Sequence, residues 1–175
     1  SRNGAGGLTW GVAANSTAYS NVTLKNMNVQ SYDVGINLVN INYSVLFNNS
    51  VLNTVYTPIS LNTIYNSNIT FNNITNGVYS SNRGLSLGIG GIGENNSVEN
   101  NIVSSAYGGV YLVNSVNSNV SLNSISSLSN DGIGIESSSN ISVKYNNISA
   151  ASYDILLTTV SDSEFKNNYL YGTPS

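Results

Sequence analysis

Three aspartates and four tyrosines are the residues of this 175-residue chain whose spacing could do chemistry. An Asn-rich pair followed by one further residue returns along the chain, that third position falling at Met27, Ser50, Ile74, Ile102, Ile125, Ile148 and Tyr169. Counted from it, Asp33, Asp131 and Asp154 lie six residues on, and Tyr32, Tyr79, Tyr107 and Tyr153 lie five on. If equal offsets become vertical neighbours, Asp131 and Asp154 stand about 5 Å apart, near the carboxylate separation of a retaining glycosidase. The same two carboxylates would also suit a calcium ion, whose ligands are oxygens. A tyrosine column beside them offers flat apolar faces and hydroxyls to sugar rings. Turn geometry explains the aspartates as well, and corner packing explains the tyrosines.

Composition narrows the chemistry. Only 7% of residues are charged, the net charge is −3, and five residues are basic, which excludes nucleic acid as a partner. The chain has no His and no Cys and a single Met, so Cys-His and Ser-His-Asp catalysis are excluded and transition metals lose their usual ligands. No apolar run reaches membrane-spanning length. Cofactors are accordingly expected to be none, with calcium at Asp131 and Asp154 the exception.

The candidates need a scaffold that stacks. The intervals between markers are 23, 24, 28, 23, 23 and 21 residues, which describes one unit repeated along the chain. Asn occupies the position before the marker in six of seven copies, and Asn tolerates left-handed backbone while its amide both donates and accepts. A buried ladder of Asn26, Asn49, Asn73, Asn101, Asn147 and Asn168 is expected to bond one coil to the next. Between markers the pattern alternates with period two, as in Gly35-Ile36-Asn37-Leu38 and Val45-Leu46-Phe47, and no amphipathic helix is visible. The expectation is an all-β, right-handed, single-stranded parallel β-helix of about seven coils, with three short strands in each coil of roughly 23 residues. It fills residues 1–175 as one domain, or as a segment of a longer rod.

Units such as Gly109-Val110-Tyr111-Leu112 leading to Asn119-Val120-Ser121-Leu122-Asn123-Ser124-Ile125, and Gly132-Ile133-Gly134-Ile135 leading to Asn146-Asn147-Ile148, resemble the parallel β-helix repeats of NosD-like proteins. That group is similar in fold to pectate lyases and other carbohydrate-active helices. The resemblance implies the fold and leaves the activity open, because such repeats serve as enzymes, adhesins and spacers. NosD itself is associated with copper-site maturation, for which a chain without His or Cys has no ordinary ligands. Pectate-lyase chemistry needs a cationic base beside its acids, and Arg83 and Lys144, the internal candidates, share no phase with the aspartates.

Two further motifs need placing. Gly88, Gly90 and Gly93 satisfy G-x-G-x-x-G, but no helix follows, so a widened corner is expected in place of a dinucleotide site. Of ten N-x-[S/T] sequons, Asn21, Asn68, Asn119 and Asn140 fall at an outer corner and are the expected N-glycosylation sites. Asn73 and Asn147, as ladder members, are expected to be buried and unmodified. The expected function is an extracellular or cell-surface structural or adhesive module without catalysis. Its partners would be itself, end to end in a filament, or other surface proteins. The alternative is a polysaccharide-binding or polysaccharide-cleaving helix that uses the Tyr and Asp columns.

Overall fold

The computed structural model describes residues 8–76, 83–87, 92–105, 107–127 and 129–172. Three parallel sheets run its length, and the chain visits them in turn. The first sheet takes the longest strands, among them Val34–Asn42, Ile59–Tyr65, Gly108–Val113, Ile133–Ser139 and Ile155–Ser161. The second takes three-residue strands from Thr23–Lys25 to Glu164–Lys166, and the third runs from Asn28–Gln30 to Tyr169–Leu170. Seven strand levels enclose about six turns of a right-handed parallel solenoid, as the repeat implies.

Alternation decides which side chains enter the rod. On the first sheet Ile36, Ile59, Leu85, Val110 and Ile133 form one inward column. Leu46, Ile69, Val98, Val120 and Val143 do so on the second sheet, and Val51, Ile74, Val103, Ile125 and Ile148 on the third. All of these are buried in one apolar core. β-branched residues dominate because they pack well on a pleated surface and lose little χ1 freedom there.

Two corners turn through a single left-handed residue per coil. Between the first and second sheets it is Asn21, Tyr43, Asn66, Asn95, Asn117, Asn140 and Asp162, with φ from 48 to 60°. Between the second and third it is Asn26, Asn48, Phe71, Asn100, Leu122, Tyr145 and Asn167, with φ from 52 to 57°. The third corner is a loop whose length varies. From the last inward third-sheet residue to the first inward first-sheet residue there are seven positions for Val29 to Ile36 but eight for Val51 to Ile59. A glycine enters the first sheet here because the third sheet already fills the space: a Cβ on Gly132 would lie 2.3 Å from Ile148 Cγ2, and one on Gly109 2.4 Å from Ile125 Cγ2.

The long interval of the sequence splits between residues 77–82 and 88–91, outside the described residues. Gly88 and Gly90 fall there, whereas Gly93 lies in a strand paired with Ile64 and Ser115, so this glycine serves the sheet.

Candidate functional site

The ladder is present, displaced by one residue in part of the chain. Its members are Asn49, Asn72, Asn101, Asn123, Asn146 and Asn168, the first five each donating Nδ2 to the next amide's Oδ1 at 2.9–3.0 Å. The backbone N–H of each of these five donates to that same Oδ1, and every ladder Nδ2 also reaches a carbonyl of the preceding coil, as Asn101 does to Ile69 at 2.8 Å. Every valence of the inner amides is thereby met, as a buried polar group requires. The first five are buried.

Expected members Asn26, Asn73 and Asn147 are therefore corrected: all three are exposed. Asn26 is a corner residue that accepts a hydrogen bond from Asn48 Nδ2 at 2.8 Å, while Asn73 and Asn147 point outward from the third sheet. The pair Asn48-Asn49 spans corner and ladder, but Asn72-Asn73 and Asn146-Asn147 span ladder and outer strand. Identical dipeptides thus occupy different phases, and a one-residue slip exchanges inside for outside. The inward apolar residue two places past the ladder, from Val51 to Leu170, carries the true phase.

This slip dissolves the proposed columns. Relative to the paired residues Ile36, Ile133 and Ile155, Asp33 stands three places before, Asp131 two and Asp154 one. Asp33 Oδ2 accepts from Thr9 N–H at 2.8 Å and Thr9 Oγ1 at 2.9 Å, tying two coils together. Asp154 Oδ1 accepts from the Ala150 N–H at 2.9 Å and closes its own turn. Asp131 is buried, and its Oδ2 accepts from the Tyr111 hydroxyl at 3.3 Å. Tyr111 lies over Gly134, where a Cβ would sit 2.3 Å from the ring. Asp131 and Asp154 therefore sit one register place apart in neighbouring coils, each engaged by a different donor. Tyr32, Tyr107 and Tyr153 slant across the same corner at four, three and two places before Ile36, Val110 and Ile155, and Tyr79 lies outside the described residues. Lys144 is on the second sheet, ion-paired with Glu164 at 2.5 Å, and so is remote from the aspartate corner.

Asn21 and Asn140 are exposed corner residues, and Asn68 is exposed at the start of its second-sheet strand. Asn119 is half-buried, with its Nδ2 engaged by Glu99 Oε1 at 2.5 Å and Ser121 Oγ at 3.1 Å. Asn73 and Asn147, expected inside, are as open as the others.

A second buried ladder went unnoticed in the sequence. Ser44, Ser67, Asn96 and Ser118 occupy one column after the first corner, with Ser44 N–H donating to Ser67 Oγ and Ser67 N–H to Asn96 Oδ1. Each serine hydroxyl donates to a carbonyl two residues back, as Ser67 does to Tyr65 at 2.7 Å. The signal available was Ser or Asn one place after the corner residue.

Residues 75–174, more than half of the chain, match the family model described as periplasmic copper-binding protein (NosD). No curated protein matches the chain. The family description overturns the expectation of no cofactor, or of calcium alone, because the metal named for this family is copper. Copper sites draw on imidazole, thiolate and thioether donors. This chain has no His or Cys and one Met, and among the described residues no three His, Cys, Asp or Glu gather into a metal-holding group. The donors present do not fit the family's metal.

Proposed function

Because this chain belongs to the NosD family of β-helix proteins, we propose that it acts outside the cytoplasm as a rigid, non-catalytic structural or adhesive module. The observation that carries this reading is the amide ladder from Asn49 to Asn168, which adds side-chain hydrogen bonds to the backbone bonds between every pair of successive coils it joins. Such a ladder resists shear between coils and suits a spacer more than a moving lid. The periplasmic description of the family supports an extracytoplasmic location.

End-to-end contact with a second copy belongs to the same proposal. In the most C-terminal described coil Leu157, Phe165 and Leu170 occupy inward positions yet are 45, 36 and 51% exposed, whereas their column mates Ile135, Val143 and Ile148 are at most 1% exposed. Another coil set on this face would bury them as each coil buries its predecessor. Exposed Asn21, Asn68 and Asn140 are the proposed glycan sites, and glycopeptide mapping of native material reads their occupancy.

The decisive experiment incubates the protein with a panel of polysaccharides and follows reducing ends and unsaturated sugars. No turnover is expected. Release of either product ends the non-catalytic reading and restores the carbohydrate-cleaving alternative.

A further inference from the structure

The two left-handed corners contain fourteen non-glycine residues, of which nine are Asn and one is Asp. The four exceptions are Tyr43, Phe71, Leu122 and Tyr145, which are 53–60% exposed. Left-handed backbone favours Gly or Asn and is an outlier for a bulky side chain. Solvent offers these side chains no compensating burial. Both the local conformation and the hydrophobic effect oppose them, and Ser or Gly occurs at none of the fourteen positions. Residues held against local preference on an exposed surface point to a function there.

Three of the four share the corner between the second and third sheets. Phe71, Leu122 and Tyr145 belong to one column, flanked by exposed Phe47, whose ring meets Phe71 edge-on at 5.6 Å, and by exposed Ile102. From the level of Phe47 to that of Tyr145 is four coils, about 19 Å of rod. The lysines of the chain gather beside this ridge. All three lysines of the chain, Lys25, Lys144 and Lys166, lie in one outward column of the second sheet, next to the corner. The Lys25 ammonium sits 6.0 Å from the Phe47 ring centroid. With Glu99 and Glu164 counted, this face carries three positive and two negative groups on a chain of net charge −3.

We propose that this ridge docks the rod lengthwise on a lipid surface bearing anionic headgroups. Leu122 and Ile102 are aliphatic, which suits acyl chains and not sugar rings. Lysines at both ends of the ridge would meet phosphates while their stems lie along the apolar boundary. The proposal stands apart from the scaffold reading, since a non-catalytic rod could act with or without it.

The test is flotation with phosphatidylcholine vesicles, with and without phosphatidylglycerol, using the wild type and a triple variant Phe71→Asn, Leu122→Asn, Tyr145→Asn. Asn already fills this column at Asn48, Asn100 and Asn167, so the variant keeps the fold, and its thermal midpoint should equal or exceed that of the wild type. The wild type is expected to float with anionic vesicles and to be released by salt, and the variant to partition about tenfold more weakly or less. Tyr43→Asn, on the other corner, should leave flotation unchanged. A wild type that does not float, or a folded triple variant that floats equally well, overturns the proposal. If the wild type fails to float but forms a dimer that the triple variant loses by light scattering, the ridge joins copies of the chain and the lipid assignment is wrong.

Discussion

Among the described residues, a ladder amide stands out in how many partners depend on it. Asn101 accepts two hydrogen bonds from Asn72 and donates to Ile69 and Asn123, all within the core. Asn101→Ala strands both of the donors from Asn72, so a loss of about 2–4 kcal/mol is expected in chemical denaturation. Asn73→Ala and Asn147→Ala, on the exposed face, should stay within about 0.5 kcal/mol. Equal losses at Asn101 and Asn73 would reject the corrected register. Gly109→Ala would press its Cβ against the Gly132 carbonyl and Ile125, where backbone cannot yield, and about 2 kcal/mol or more of destabilisation is expected. These distinctions explain how far the sites were legible. An Asn reads the same whether it turns a corner, bonds inside or faces out, so Asn26, Asn73 and Asn147 looked like ladder residues until the strands were paired.

Single strands are short here, and sheet stability comes from repetition. In the second sheet Ser142–Lys144 pairs with Glu164–Lys166 so that Lys144 stands opposite Lys166 and reaches diagonally to Glu164. The hydrogen bond from Lys144 is the main cause that holds the Glu164 carboxyl below its ordinary value, with the charges of Lys144 and Lys166 adding to it. A depressed carboxylate stabilises the fold above its unfolded value, and that contribution disappears as pH falls through the folded value. Glu164 is fully exposed, so the effect on stability is small while the titration itself remains measurable. Lys144→Met is expected to raise the Glu164 value toward that of a free glutamate, read by NMR titration of its side-chain carbonyl carbon. An unmoved titration would show that the ion pair is absent in solution. The alternation that placed these strands was legible residue by residue, since period two distinguishes a face within four or five positions.

At the scale of the whole molecule, the C-terminal described coil exposes inward-column residues. Replacing Leu157, Phe165 and Leu170 together by Asn should abolish concentration-dependent association in light scattering and leave the inner coils folded, since their columns are complete without this face. Association that survives the triple change would place the contact elsewhere on the rod. The repeat, the all-β class, the three strands per coil and the existence of an amide ladder all follow from periodicity, because a stacked unit must write its pattern again at every level. The relative phase of distant residues does not follow, because a loop one residue longer in one coil shifts everything beyond it. Asp131 and Asp154 keep a constant offset from Ile125 and Ile148, yet eight positions separate Ile125 from Ile133 and seven separate Ile148 from Ile155. Hydrogen-bond pairing between coils absorbs that difference, turns one carboxylate under Tyr111 and leaves the other in its own turn, so two aspartates that look equivalent along the chain acquire different partners.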